Sequence, residues 1–233
     1  MIGYSEFFPF MYTTEGSEVK GLDIKLVRKV FEKAGCKIEL VNMPWSRIVM
    51  GLKNGVPDVA LVASKTKERS MYAYFSVPYR NEQMRFMIRK NEAPKWPIQS
   101  LQDVIKYKMR IAVVLSNWFG EEFDELKKNK EFKSLISGVT EVSNRFSMLS
   151  LKRIDAILHD KVYLTAMAKK LGKYDDIEFL PFVVNDDPVH FMFSKKTTPK
   201  TDLELINQML KEFKKTPEYR ELFGDMKTHF SKD

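Results

Sequence analysis

The chain has 233 residues and carries 39 Lys and Arg against 31 Asp and Glu, a formal net charge of +8. At 44% hydrophobic and 12% aromatic it holds enough apolar side chain for one large core or two small ones, which excludes a disordered chain. The basic residues are scattered in pairs among the acids and no run reaches five or six like charges, so they read as solvated surface rather than a nucleic-acid footprint.

Residues 2–12 read as a strand running into a loop, with Pro9 ending the ladder. Gly21 to Ala34 has an apolar stripe at helical spacing (Leu22, Leu26, Val27, Val30, Phe31), and Gly35 stands where a helix stops. Lys37–Val41 reads as a strand. Pro44-Trp45-Ser46-Arg47 opens a second helix that Asn54-Gly55 ends. The strand beginning at Asp58 contains the unbroken apolar run Val59-Ala60-Leu61-Val62 and completes a β-α-β-α-β series, which predicts a parallel sheet. Met84–Arg89 is a further strand, and Asn91–Pro97, with two prolines, is a connector.

A second series follows: a helical turn from Leu101, a strand over Met109–Leu115, a helix over Asn117–Asn129, a strand over Val139–Val142 and a helix over Ser147–Lys152. Then come a strand over Ile154–Leu158, a helix over Val162–Leu171 ended by Gly172, and strands over Ile177–Val184 and His190–Phe193. Helices over Asp202–Lys214 and Pro217–Phe223 close the chain. The segments 52–64 and 151–160 echo each other: helix end, turn, Asp, apolar strand, polar exit. Two α/β lobes facing a cleft are the expectation.

No stretch approaches the ~20 apolar residues of a spanning helix. The opening Met1-Ile2-Gly3-Tyr4 is already strand-like, so the signal segment of an exported chain would have been removed before Met1. Cys36 is the single cysteine; it excludes an intrachain disulfide and reads as a small buried hydrophobe. There is no GxGxxG, GxxxxGK[ST], GxSxG or HExxH pattern, and His159, His190 and His229 are isolated, so neither metal nor cofactor is expected.

What the chain does present is a recognition set. The strand from Asp58 spills into Ser64, Lys65 and Thr66 and delivers Arg69, an arrangement suited to a carboxylate. The competing reading is a surface arginine paired with Glu68. Phe7, Phe8, Phe10 and Trp45 lie at strand–loop or loop–helix junctions, Phe8 and Phe10 more in keeping with core, Phe7 and Trp45 with the walls of a site. Asp160 follows the second strand of the echo and suits either an ammonium group or the N-cap of the next helix. Asn117, at an expected helix start, could offer its N–H to an anion.

These segments resemble the type II periplasmic (extracytoplasmic) solute-binding proteins, bacterial extracellular solute-binding family 3. The resemblance spans FFPFMYTTEGSEVKGLDIKLVRKVFEKAG, PWSRIVMGLKNGVPDVALVAS, TKERSMYAYFSVPY, RIDAILHD and the closing TPEYRELF. It implies a periplasmic binding protein-like II fold, two α/β lobes with a central cleft and two hinge crossings. Lobe 1 would be 1–88 plus 190–233, with lobe 2, 89–189, inserted. It also implies an extracytoplasmic, non-enzymatic monomer that captures an amino acid or related carboxylate and hands it to the membrane subunits of an ABC importer. Enzymes of the cyclohexadienyl dehydratase kind and ligand-sensing receptor domains are the alternatives on this fold. By the same resemblance Arg69 would clamp the α-carboxylate, aided by Ser64 and the main chain at Val62. Asn117 and Trp118 would add donors, Asp160 would take the ammonium, and Phe7 and Trp45 would sandwich the side chain. Two departures stand out. Tyr4 occupies a position where binders of basic amino acids often have an acid, and Arg47 adds an anion site beside the aromatic wall.

Overall fold

In a computed structural model of the chain, residues 1–224 are described; His229 and the rest of the tail lie outside them. The structure divides into two compact units. Unit 1 comprises Met1–Asn81 and the described chain from Pro188 onward, and unit 2 is Glu82–Asp187. The sequence reading put the boundaries at 88/89 and 189/190. The first falls earlier because Met84, Phe86 and Ile88 pack with Ile111, Val113 and Leu158 in the unit 2 core.

In chain order, unit 1 opens with β1 (Ile2–Tyr4), the short pair β2 (Tyr12–Thr13) and β3 (Val19–Lys20), and α1 (Leu22–Lys33). Then follow β4 (Leu40–Asn42), α2 (Trp45–Leu52), β5 (Val59–Ser64), α3 (Lys67–Tyr72) and β6 (Ala73–Phe75). Strand β7 (Arg80–Arg89) carries the chain into unit 2. There α4 (Gln102–Lys106), β8 (Ile111–Val113), α5 (Glu121–Leu126), α6 (Lys130–Ser134) and β9 (Ile136–Gly138) lead to α7 (Val142–Ser150), β10 (Ala156–Asp160) and α8 (Lys161–Lys170). Strand β11 (Ile177–Ser194) returns the chain to unit 1, which ends with α9 (Lys200–Lys214) and α10 (Pro217–Phe223).

In unit 1 the sheet order is β4-β1-β5-β11, with β6 also on β11. β1 is parallel to both β4 and β5, as the β-α-β-α-β pattern predicts, so all three strands end at the same edge. In unit 2 the order is β11-β7-β10-β8-β9, with β10, β8 and β9 mutually parallel and β7 antiparallel to β10. Strand β5 is shielded as its apolar run requires: Val59, Ala60, Leu61 and Ala63 are all buried.

Gly21 explains how the 7–11 loop is held. Its φ of 131° brings the start of α1 against the Phe10 carbonyl, where a Cβ would stand 2.1 Å from the oxygen. The first N–H groups of the helix then cap the loop, Leu22 donating to Pro9 O at 3.1 Å and Asp23 to Phe10 O at 2.9 Å.

Several elements differ from the sequence reading. The helix expected over Asn117–Asn129 starts only at Glu121, because Gly120, at φ 100°, closes a turn first. The strand expected over Val139–Val142 is β9, three residues earlier, and α7 already begins at Val142. The strands on either side of Asp186-Asp187-Pro188 are one continuous strand, β11. Helix α3, absent from the sequence reading, is nucleated by Thr66 as N-cap. Cys36 is exposed rather than buried, since Gly35 turns the chain outward after α1.

Candidate functional site

At the carboxyl edge of the unit 1 sheet stand the loops that leave β1, β4 and β5, the edge where parallel α/β sheets place ligands. They carry Phe7, Trp45 with Arg47, and Ser64 with Arg69. Phe7 is buried against Phe10, ring centroids 5.1 Å apart, and its backbone bridges Met11. Trp45 opens α2, half-buried on the cluster of Ile48, Leu52 and Ala63. Arg47, in the first turn of the same helix, is exposed.

Glu68, the acid next to Arg69, faces Lys53 at 3.6 Å. Helix α3 points Arg69 back along β5. Its Nη1 donates to the Ser64 carbonyl at 2.9 Å, and its Cζ lies 5.4 Å from the Trp45 ring centroid. The Ser64 carbonyl uses one of the guanidinium's five donors, and the aromatic face orients the plane. Ser64 is buried; Trp45, Ser64 and Arg69 form one connected group.

Val62 is a β-branched residue at φ 54°, a conformation that costs a non-glycine residue of order 1–3 kcal/mol. It sits where the pairing of β5 with β11 slips, between His190 and Met192. Its N–H donates to the Tyr79 hydroxyl at 3.2 Å, so the main-chain donor expected here for a carboxylate is engaged within unit 1. Tyr79 passes the link on to Asp23 Oδ2 at 3.0 Å. Asp23 receives Arg80 Nε and Nη2, both at 3.0 Å, and both charged side chains are fully buried. Burial and the Asp23 charge raise the Tyr79 phenol well above its ordinary pKa, keeping it a neutral donor. This network was missed in the sequence reading; the separation of Asp23 from Tyr79-Arg80 hides it, and an aspartate at helical spacing among Leu22, Leu26 and Val27 was its one signal.

Unit 2 repeats the logic at the carboxyl edge of β8, β9 and β10. Asn117 and Trp118 lie in the turn after β8, not at a helix start, and the Asn117 N–H donates within that turn to Val114 O at 3.0 Å. The helix that follows opens with Glu121, Glu122 and Asp124, so its first turn does not favour an anion. The Asn117 side-chain amide meets His159 Nε2 at 3.2 Å, and Trp118 Nε1 donates to Asp187 Oδ2 at 3.2 Å. Asp160 is buried and caps α8, Oδ1 accepting from Tyr163 N at 2.8 Å and Oδ2 from Gln83 N at 3.2 Å. The N-cap alternative is therefore present.

His159 is buried, and its Nδ1 accepts the Asp160 N–H at 2.8 Å. Burial, then the charge of Arg145, lowers its pKa well below 6.5, so the ring is neutral with its proton on Nε2. An Nε2–H at 3.2 Å from the Asn117 amide calls for the amide oxygen there, which fixes the orientation of that side chain. Among the described residues no group of His, Cys, Asp and Glu could hold a metal ion.

The profile of the bacterial extracellular solute-binding proteins, family 3, matches residues 1–225. The chain belongs to this family. Members are extracellular or periplasmic, and no helix among the described residues is long and apolar enough to cross a membrane. The arginine-binding extracellular protein ArtP of Bacillus subtilis (strain 168) is 27% identical over 94% of this chain and 81% of its own length. Among solved structures, an ancestral arginine-binding protein bound to arginine superposes with a TM-score of 0.78 at 25% identity, covering 97% of this chain and 96% of that one. The ancestral amino acid-binding protein AncCDT-1, a precursor of cyclohexadienyl dehydratase, gives 0.75 at 25% identity over 97% and 94%. The mixed α/β fold is thus that of type II periplasmic binding proteins.

Proposed function

We propose that this family 3 protein captures an amino acid or related small carboxylate outside the cytoplasm and presents it to the membrane subunits of an ABC importer, acting as a monomer without a cofactor or nucleic-acid partner. The observation that carries the reading is Arg69. It rides on a helix of its own, and the Ser64 carbonyl and the Trp45 face hold it at the carboxyl edge of a parallel sheet. A guanidinium held there before the solute arrives gives up little entropy when it takes a carboxylate.

In this reading Arg69 and Ser64 take the α-carboxylate and Asp160 the ammonium. Phe7 and Trp45 flank the side chain, Asn117 and Trp118 supply polar contacts, and Arg47 adds positive potential. Val62 contributes by shape, its bulge aiming the end of β5. The names of the relatives, arginine-binding and amino acid-binding, support the solute class.

The test is calorimetry against an amino-acid panel, together with mass spectrometry of solute carried through purification. Arg69→Ala should lose about tenfold to hundredfold in affinity, the value of charge-assisted hydrogen bonds, at unchanged melting temperature. Unchanged affinity would remove Arg69 from the assignment. The likeness to a dehydratase precursor makes an enzyme the second reading. Measurable turnover of prephenate or arogenate, abolished by Asp160→Asn, would favour it over the binder.

A further inference from the structure

Arg145 stands in the first turn of α7 and is 1% exposed. Among the described residues its Nε and Nη1 have no hydrogen-bond partner. The guanidinium lies over the Tyr163 ring, 5.9 Å from the centroid, and the two side chains share a hydrogen bond. Glu141, the exposed residue that precedes α7, acts on it only through space. A buried guanidinium with idle donors and no carboxylate in contact is among the costliest arrangements a fold can hold. Buried polar groups left this way call for an absent partner.

The place of Arg145 says what that partner is. β8, β9 and β10 are parallel, and the chain leaves their carboxyl ends into the Asn117 turn, into α7 and into the Asp160–Tyr163 turn. Arg145 therefore shares the edge of unit 2 that bears Asn117 and Asp160. His159 links them, its ring 4.5 Å from that of Tyr163 and its Nε2 3.2 Å from the Asn117 amide. The groups that act on the charge of Arg145 are Tyr163 and Glu141, while the Asp160 oxygens accept the N–H groups of Tyr163 and Gln83.

We propose that Arg145 is a specificity determinant, an anion subsite in unit 2 for a second acidic group of the solute, so that the preferred class is an acidic amino acid rather than a basic or neutral one. The inference rests on the amino-acid-binding reading above. A guanidinium side chain brought to this edge would meet a like charge, whereas a carboxylate supplies the acceptors that Nε and Nη1 lack.

The test is titration calorimetry of L-glutamate, L-aspartate, L-glutamine and L-arginine on the wild type, Arg145→Met and Arg145→Lys, with melting temperatures recorded in parallel. The expected result is that the wild type binds an acidic amino acid about tenfold or more tighter than L-glutamine or L-arginine. Arg145→Met should lose about tenfold to hundredfold for the acid while keeping L-glutamine nearly unchanged, with Arg145→Lys between them. Should the methionine variant fail to fold, the lysine variant decides on the same comparison. Amino-acid binding in which Arg145 variants weaken all solutes equally, or none, overturns the subsite and leaves the binding function standing. So does a wild type that prefers L-arginine. A wild type that binds no amino acid overturns both.

Discussion

Replacing Asp23 by alanine should come close to unfolding the protein. The carboxylate receives three donors at 3.0 Å: Nε and Nη2 of Arg80 and the Tyr79 hydroxyl. Arg80 is 0% exposed, and its Cζ lies 3.8 Å from the Phe10 ring centroid, so water has no ready way in to replace the lost charge. Removing one partner of such a pair costs about 3–5 kcal/mol, because the other charge stays buried. Disturbing the Tyr79 hydroxyl adds about 1 kcal/mol or more. The sum, about 4–6 kcal/mol, is comparable with the lower end of the stability of an ordinary domain, about 5–15 kcal/mol. Urea unfolding followed by tryptophan fluorescence measures it. Asp23→Leu combined with Arg80→Met should recover part of the loss, because the buried guanidinium that carries the cost is removed with its partner. A loss below about 1 kcal/mol for Asp23→Ala would refute the reasoning, since the guanidinium would then be solvated despite its burial.

Three further outcomes are expected. Thr66→Ala removes the side-chain acceptor of the Arg69 N–H at 3.2 Å; it should cost about 1 kcal/mol in urea unfolding and weaken solute binding, because α3 orients Arg69. Lys152→Gly, at an exposed position with φ 56°, should raise the unfolding free energy by about 0.5–1 kcal/mol. His159, and in the same sense His190, is held below its ordinary pKa chiefly by burial, so the unfolded chain binds more protons as the pH falls. Their stabilising contribution is complete above pH 6.5, the unperturbed value, and is lost as the pH falls below it. The urea midpoint should therefore drop between pH of about 7.5 and about 5.5, and His159→Gln should shrink the drop.

The sequence was legible where periodicity and burial agreed. The run from Val59 to Leu61 is a buried stretch of strand, and Leu26, Val27, Val30 and Phe31 lie on the buried face of α1. The same holds for the edges: the loops after β1, β4, β5, β8 and β10 carry the candidate residues, since parallel strands bring their ends together whatever the intervening sequence. What escaped was set by contacts between distant residues. Asn117 looked like a helix start, but Gly120, at φ 100°, interposes a turn before the helix begins at Glu121. Arg145 fell between the strand expected over Val139–Val142 and the helix expected from Ser147, so nothing in the local pattern marked it. Its burial depends on Tyr163 and His159, which come from another strand and helix.

The two edges achieve rigidity by the same physical means, which bears on why the candidate residues suit ligand capture. In unit 1 the strained Val62 cannot relax while Tyr79 holds its N–H, Asp23 holds Tyr79 and Arg80 holds Asp23. The end of β5, and with it Ser64 and the Arg69 hydrogen bond to its carbonyl, is thereby anchored on a buried ion pair rather than on a mobile loop. In unit 2 Asp160 is fixed by two backbone donors, and Asn117 by a neutral histidine that the same backbone orients. Charges pinned in advance lose little entropy on meeting a solute and remain poorly solvated until it comes, so each counts for more than a surface charge would. Arg145 is the extreme of that design: its donors are already stripped of water, so the solute that supplies the missing oxygens gains most and one that cannot gains least.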